Sequence, residues 1–172
     1  MFEGYVSPWM DEELHIMRDA VSKFLDREFV PHAERWEKQG IVDREAWTTA
    51  GEAGILCASI PEEYGGGGGN FKHEMVLVEE MSYANVSGFG NSVHSGIVAH
   101  YIHAYGSEEQ RQRWLPKMAR GEIVAAIAMT EPGTGSDLQS IATTAIKQGD
   151  HYVLNGQKTF ITNGMSADLI CV

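Results

Sequence analysis

Apolar side chains near the start of the chain recur at helical spacing. The repeated positions are Met10, Leu14, Met17, Val21 and Phe24. Intervals of four and three residues place such side chains on one face of an α-helix, so the pattern predicts a long first helix with one buried face. We expect this helix to bend near Pro31, because proline removes a backbone donor, and to end at Gly40.

A second helix is predicted to start at Asp43, whose carboxylate suits an N-cap, and to stop at Gly54. Five consecutive glycines, Gly65 to Gly69, follow a short segment at residues 60–64. Ordering consecutive glycines costs much backbone entropy, so the glycine run is interpreted as a flexible loop.

Three further helices are predicted ahead of Gly121. The first covers residues 71–84, and one side of it is predicted to carry Met75, Val78, Met81 and Ser82. The second covers residues 93–105 and ends at Gly106. The third begins with a capping box, in which the side chains of Ser107 and Gln110 satisfy free backbone N–H groups. Its inward side is formed by Trp114, Leu115 and Met118.

The hydrophobic period changes after Gly121 from about 3.6 residues to 2, which marks a boundary between a helical part and a β part. Strands are predicted at residues 123–129 and 141–147, with a turn at Gly149-Asp150. Asn155-Gly156 is typical of a two-residue β-hairpin turn, so residues 152–154 are predicted to pair with residues 158–160. The apolar residues 169–172 predict one more strand.

Length, composition and charge narrow the functional classes. The 172 residues suffice for one domain, or for one domain plus part of a second. A formal charge of −11 would repel a phosphate backbone, which argues against nucleic acid as a partner. No apolar run has the length of a membrane span. Cys57 and Cys171 lie in apolar surroundings, and the N-terminus lacks the features of a secretory signal, so we expect a reducing cytoplasm.

Most of the remaining candidate motifs indicate structure and not chemistry. The glycine run and Gly133-Thr134-Gly135 both fail the G-x-G-x-x-G pattern of dinucleotide-binding turns. The three histidines His94, His100 and His103 fall on one predicted helix but do not face one way, which favours core or surface histidines over a metal site. Adjacent acidic pairs, such as Glu79-Glu80, are interpreted as solvated surface.

Residues 128–137 combine a strand end with a Pro/Gly turn and two hydroxyl side chains, those of Thr130 and Ser136. Exposed N–H groups of such a turn, together with hydroxyls, can bind a ring edge and a phosphate without a cationic side chain. An ordinary strand–turn–strand connection explains the same residues equally well, so the residues alone leave both interpretations open.

Two longer motifs carry a family resemblance. Residues 129–137, Met-Thr-Glu-Pro-Gly-Thr-Gly-Ser-Asp, and residues 154–164, Leu-Asn-Gly-Gln-Lys-Thr-Phe-Ile-Thr-Asn-Gly, closely resemble the paired signatures of the FAD-dependent acyl-CoA dehydrogenase family. Residues 60–66 and 106–111 are similar to its helical N-terminal domain. The resemblance implies an α+β chain: an all-α helical domain at residues 1–121, then the first strands of an antiparallel β-barrel at residues 122–172. The family's C-terminal four-helix domain is expected to be missing from this chain.

The resemblance also implies a cofactor and a reaction. FAD would accept a hydride from the β carbon of an acyl-CoA thioester while a base removes a proton from the α carbon. The implied cofactor-binding residues are Met129, Thr130, Gly135, Ser136, Phe160, Ile161 and Thr162. Many relatives have Trp where Phe160 stands, so any hydrogen bond from an indole N–H is absent here. The implied substrate-binding residues are Ser136, Val93 and Ile97.

The family's catalytic carboxylate lies beyond Val172, so the resemblance implies no catalytic residue and no activity in this chain alone. Glu131, in a tight turn, suits a structural bond better than proton abstraction. Implied partners of the full-length protein are an electron-transfer flavoprotein and further copies of the chain in a homotetramer. Two alternatives stay open: an acyl-CoA oxidase or monooxygenase of the same fold, and a truncated, non-catalytic assembly subunit.

Overall fold

The computed structural model describes residues 7–86 and 88–172. The N-terminal stretch in which no secretory signal is predicted includes residues 1–6, which lie outside these ranges. The helices are α1 (Glu12–Glu28), α2 (Val30–Gln39), α3 (Arg44–Glu52), α4 (Phe71–Tyr83), α5 (Asn91–Val93), α6 (His100–Tyr105) and α7 (Glu108–Ala119). A π-helical stretch, His94–Ala99, joins α5 to α6, and Glu62–Tyr64 and Leu138–Ser140 form 3-10 turns. The strands are β1 (Ala125–Ile127), β2 (Thr144–Gln148), β3 (His151–Asn155) and β4 (Leu169–Cys171).

The break between α1 and α2 confirms the bend predicted near Pro31. Phe29 separates the two helices, because the proline two residues later cannot donate to the preceding turn. At the start of α1, the carboxylate of Asp11 accepts from the N–H of Leu14. At the end of α2, Gly40 adopts φ 72°, which is the left-handed cap expected of glycine.

Asp43 precedes α3 as predicted, but its carboxylate does not cap the helix. The guanidinium of Arg35 donates to both carboxylate oxygens instead, one of the bonds being 2.9 Å long. This pairing holds the pKa of Asp43 well below its usual value. A charged partner on α2 therefore outcompetes the backbone N–H groups of α3 for this carboxylate.

The buried face of α4 differs from the predicted one. Val78 and Ser82 are exposed. The buried positions are Glu74, Val76, Leu77, Glu80 and Met81. The prediction assumed that acidic residues avoid the interior, whereas both glutamates find partners there. Glu74 accepts from the N–H and hydroxyl of Ser59, at 3.1 and 2.8 Å, and Glu80 lies 3.3 Å from Arg18 of α1.

The glycine run forms a loop, as predicted, and this loop packs on the segment that precedes it. Its N–H groups at Gly67, Gly68 and Gly69 donate to carbonyls of residues 57–60, at 2.9–3.1 Å. A Cβ atom at Gly66 would lie 2.2 Å from the carbonyl oxygen of Ile60. The glycines thus permit two backbone segments to pack directly on each other, and hydrogen bonds hold them there.

The helical part ends as the sequence predicts. The capping box of α7 is present, with the N–H of Ser107 donating to Gln110 at 2.8 Å and the N–H of Gln110 donating to Ser107 at 3.3 Å. After α7, Gly121 adopts φ 70°, and a Cβ atom there would lie 2.1 Å from the carbonyl oxygen of Trp47. Only strands and one 3-10 turn follow among the described residues.

The predicted hairpin across Asn155-Gly156 is wrong. β2 pairs antiparallel with β3 across Gly149-Asp150, where Gly149 adopts φ 64°. Asn155 ends β3 opposite Thr144, and a Cβ atom at Gly156 would lie 2.2 Å from the hydroxyl of Thr143. Residues 158–160 form no strand, and the N–H of Thr159 donates to the carbonyl of Thr130 in the other motif instead of to β3. β4 pairs with β1, and this second pairing is parallel, with Ala125 opposite Leu169.

His94 links the two parts of the chain and lies fully inside the core. The N–H of Ala125 in β1 donates to its Nδ1 at 3.0 Å, so the ring proton resides on Nε2, which donates to the carbonyl of Met118 at 3.2 Å. Burial lowers its pKa from 6.5 to about 4. The interpretation as a core histidine is confirmed for His94. Among the described residues no cluster of His, Cys, Asp or Glu suits a metal ion.

None of the helices formed by residues 7–86 and 88–172 combines the length and the apolar character that crossing a bilayer requires.

His94 makes the stability of the fold dependent on pH. Its pKa is lower in the folded state, so unfolding takes up a proton between the two pKa values and stability falls as the pH drops. We expect the free energy of unfolding to decrease by roughly 3 kcal/mol between pH 7 and pH 4 on account of this residue. Urea unfolding at a series of pH values measures the slope.

The substitution His94→Gln removes the titrating group and retains part of its hydrogen bonding. We expect His94→Gln to be less stable at pH 7 and to show a flatter pH profile. His151→Gln, at an exposed histidine of the hairpin, should keep the slope of the unsubstituted chain. An equal slope in all three proteins would contradict the role of His94.

Candidate functional site

The ammonium group of Lys158 connects the two motifs of the β part. Its Nζ donates to the carbonyl of Met129 and to the carboxylate of Glu131, each at 2.9 Å. The next residue, Thr159, donates its N–H to the carbonyl of Thr130 at 3.0 Å. Residues 129–131 and 158–159 therefore lie side by side, although 26 residues separate the two segments in the sequence.

Glu131 is a buried structural anion. Its carboxylate accepts from the N–H groups of Ala142 and Thr143, at 2.8 and 3.0 Å, as well as from Lys158. Thr143 and Lys158, followed by the N–H of Ala142, lower its pKa from 4.5 to about 2. The carboxylate is therefore ionised and fully engaged at neutral pH, which agrees with the structural bond predicted for it and not with proton abstraction.

The turn after Glu131 is closed by hydrogen bonds and is followed by exposed residues. Glu131 and Thr134 exchange backbone hydrogen bonds, and the Thr134 hydroxyl donates to the carbonyl of Ser140 at 3.0 Å. Gly135 and Ser136 beyond this turn are exposed. A Cβ atom at Gly133 or Gly135 would meet no atom within 4 Å, and neither residue has a positive φ. The packing of the chain itself therefore gives no reason for glycine at these two positions.

Residues 160–162, which follow Thr159 directly, form a displayed segment, named for the exposed side chains of Phe160 and Thr162. Phe160 adopts φ 55°, a conformation that usually costs a non-glycine residue about 1–3 kcal/mol, and its side chain is 92% exposed. Ile161 is half-buried and Thr162 is exposed. Asn163 ends the segment, and its side-chain amide donates to the carbonyls of Gly90 and Ala125, at 3.0 and 3.1 Å.

Two open grooves flank these segments. One, of about 390 Å³, is lined by Met129, Ile141 and Tyr101 among others. The other, of about 620 Å³, is lined by Phe160, Ile161 and Met165 among others. A third groove, of about 530 Å³, lies along α2 and contains none of the predicted site residues.

The predicted substrate-binding residues of the helical part lie on one helix. Val93 ends α5 and is half-buried against the core, while Ile97 in the π-helical stretch is 36% exposed. Neither lines the two grooves beside the motifs, whereas Tyr101, one turn after Ile97, lines the smaller one. The structure thus places Met129 and Thr130 beside residues 158 and 159, while Val93 and Ile97 lie on the helical part and outside the lining of the two grooves.

Sequence reasoning missed two residues of this site, Lys158 and Asn163. Both residues belong to the motif at residues 154–164. A lysine after a strand and an asparagine in a turn are as often exposed to solvent as they are hydrogen-bonded inside a protein. An available signal for Lys158 was the charge of Glu131 in the partner motif. Asn163 carried no signal for its acceptors, which lie on distant parts of the chain.

Comparison with known proteins assigns the chain to a family. The family model described as acyl-CoA dehydrogenase, N-terminal domain, matches residues 11–122, and the one described as acyl-CoA dehydrogenase, middle domain, matches residues 126–172. The chain belongs to the acyl-CoA dehydrogenase family. Its helical part followed by the first strands of the middle domain agrees with the predicted fold class.

Individual relatives agree with this assignment. The mitochondrial long-chain specific acyl-CoA dehydrogenase of Sus scrofa is 48% identical over 160 residues, covering 93% of this chain and 37% of that protein. An acyl-CoA dehydrogenase structure from Geobacillus kaustophilus has a TM-score of 0.92 and 51% identity, covering 96% of this chain and 43% of that one. One from Bacillus anthracis, complexed with FAD, has a TM-score of 0.88 and 34% identity, covering 98% and 29%. The chain thus spans about two fifths or less of these relatives.

Glu131 should stabilise the fold most strongly at neutral pH. Because its pKa is depressed, its contribution is complete above about pH 4.5 and is lost as the pH falls toward 2. We expect Glu131→Gln to lower the midpoint of thermal unfolding at pH 7 by about 5 °C or more, since Lys158 is left without its anion. The difference from the unsubstituted chain should shrink steadily below pH 4.

The matched control is Glu122→Gln, at an exposed glutamate paired with Arg120. It should change the unfolding midpoint little at any pH, because exposed ion pairs contribute little to stability. Equal shifts for both variants at pH 7 would show that the Glu131 carboxylate has no special structural role.

Proposed function

We propose that this chain supplies the FAD-binding face of an acyl-CoA dehydrogenase that oxidises the Cα–Cβ bond of an acyl-CoA thioester. The observation that carries the proposal is the contact of the two motifs through Lys158, which brings residues 129–131 next to the start of the 158–162 segment. Membership of the family supports the reaction class. The proposed domains are residues 1–121 and 122–172.

The residues present fit a flavin. The carbonyls of Met129 and Thr130 are occupied by Lys158 and Thr159, which leaves their N–H groups and the Thr130 hydroxyl to bind the edge of a polar ring. Gly133 and Gly135 give a phosphate or ring close access to the backbone, because no side chain stands there and none of the chain's own atoms would contact one.

The other predicted site residues would bind the phosphates, the flavin ring and the acyl chain. Ser136 would bind the pyrophosphate and the neighbouring acyl-CoA through its exposed hydroxyl. The exposed ring of Phe160 would cover one face of the flavin, with Ile161 beside it and the Thr162 hydroxyl near the atom that gains negative charge. FAD, when bound, accepts the hydride that leaves the β carbon. Val93 and Ile97 would border the acyl chain.

The same proposal covers the electron acceptor, the oligomeric state, the substrate and the cellular location of the complete protein. Electrons would pass to an electron-transfer flavoprotein, and the complete protein would be a homotetramer that works in fatty acid oxidation. The similarity to the long-chain specific enzyme of Sus scrofa supports a fatty acyl substrate. A cytoplasmic location rests on the two free cysteines, Cys57 and Cys171.

FAD binding tests the proposed site directly. We expect FAD titrated into the chain to bind weakly but saturably, with a change in flavin fluorescence. Gly135→Ala should weaken binding about tenfold, because the added methyl group would stand between the backbone and the ligand. Its unfolding midpoint should not change, since that methyl group contacts nothing in the chain.

The matched control is Gly96→Ala, at a second glycine whose Cβ atom would meet no atom within 4 Å. It should leave FAD affinity unchanged. Equal affinity of the Gly135→Ala variant and the unsubstituted chain would rule out close approach of FAD to this turn.

The proposal assigns no base for α-proton removal to this chain. Glu131, the glutamate of the first motif, is ionised and holds three hydrogen bonds. We therefore expect the chain, mixed with FAD, an artificial electron acceptor and acyl-CoAs of short to long chain length, to show no turnover above a flavin-only control. A general base typically contributes about a hundred- to ten-thousandfold to such a rate. Turnover that disappears in Glu131→Gln would place the base here.

A further inference from the structure

Hydrogen bonds from side chains on either side hold the segment Phe160–Thr162 in place. Lys158 makes them before the segment and Asn163 after it. We propose that Lys158 and Asn163 are positioning residues, which hold this segment in one fixed geometry before any ligand arrives. The inference rests on the proposed function, because the ligand to which Phe160 and Thr162 would be presented is the flavin.

The first anchor, Lys158, holds the segment to the partner motif. Its side chain is only 14% exposed, and that of Glu131 only 6%, so the ion pair is shielded from water. The same ammonium group donates to the carbonyl of Met129, and the N–H of Thr159 donates to Thr130. The Lys158 side chain and the backbone bond of Thr159 together set the distance between the start of the segment and the backbone proposed to bind the ring edge.

The second anchor, Asn163, holds the segment to the helical part and to β1. Its amide nitrogen donates to Gly90, just ahead of α5, and to Ala125 in β1. Asn163 adopts φ 64°, which asparagine tolerates better than most residues. A Cβ atom at Gly90 would lie 2.2 Å from the Asn163 side-chain oxygen, so glycine at position 90 makes room for this anchor.

The conformation of Phe160 shows that the anchors act against a local preference. Its φ of 55° is unfavourable for an aromatic residue, and its ring, 92% exposed, gains no packing in return. The neighbouring residues must therefore impose this conformation. Because the backbone of Phe160 is already fixed, only the side-chain rotation of the ring would remain to be restricted when a flat ligand binds.

The test measures the order of residues 160–162 in the ligand-free chain. Backbone ¹⁵N relaxation of the unsubstituted chain should give order parameters of about 0.85 at these residues, as in rigid backbone. Lys158→Met and Asn163→Gly each remove one anchor, and Asn163→Gly retains the left-handed conformation. Each should lower these order parameters to about 0.6 or less and weaken FAD binding about tenfold or more. Lys158→Arg, which keeps the charge and the donors, should restore much of both.

The matched controls remove the same side chains elsewhere. Lys147→Met changes an exposed lysine of β2, and Asn85→Gly changes an exposed asparagine with φ 54°. Neither should alter the order of residues 160–162 or the affinity for FAD. An effect of either control equal to that of the anchor variants would overturn the inference.

The outcomes separate this inference from the proposed function. Rigid residues 160–162 in Lys158→Met and Asn163→Gly, with only the unfolding midpoint lowered, would show that both residues are merely structural and would overturn the inference. If the segment loosens in both variants but the unsubstituted chain binds no FAD, the positioning role stands and the proposed FAD site fails. Loosening together with weaker FAD binding supports both.

Discussion

Strand β1 runs through the helical core, and its backbone polar groups must find partners there. Val124, Ala125 and Ala126 are completely buried. An unpaired N–H or carbonyl in such a place costs free energy comparable to a lost hydrogen bond. The ladder with β4 meets part of this requirement, and three side chains supply further bonds.

The three side chains come from distant parts of the chain and thereby join its two parts. His94 of the π-helical stretch accepts from the N–H of Ala125, and Asn163 donates to the carbonyl of Ala125. Asp168 accepts from the N–H of Val124 and also pairs with Arg44 of α3, at 2.7 Å each. Satisfying one buried strand therefore fixes where the displayed segment and β4 lie relative to the helices. The geometry of the candidate site therefore depends on the hydrogen bonds made to β1.

Local patterns predicted the helices well where the signal and the partner are close in sequence. The capping box of α7 and the left-handed glycine after α2 each depend on residues within one or two turns. The β part was predicted less well, because Gly149-Asp150 and Asn155-Gly156 are both good turns and only one closes a hairpin. Residues 158 and 159 bond to residues 129–131 instead of to β3, and these distant partners are not visible in the local sequence.

By itself, the sequence determined the helical periodicity, the change of period at Gly121 and the two motifs that carry the family resemblance, since each is a property of neighbouring residues. Only the tertiary structure decided that Lys158 neutralises Glu131 and that Asn163 reaches the carbonyl of Gly90, 73 residues earlier. It also decided that Glu74 and Glu80 lie on the buried face of α4. The physical reason is common to all of these: a polar side chain can be buried only where a partner meets it, and that partner is supplied by the fold.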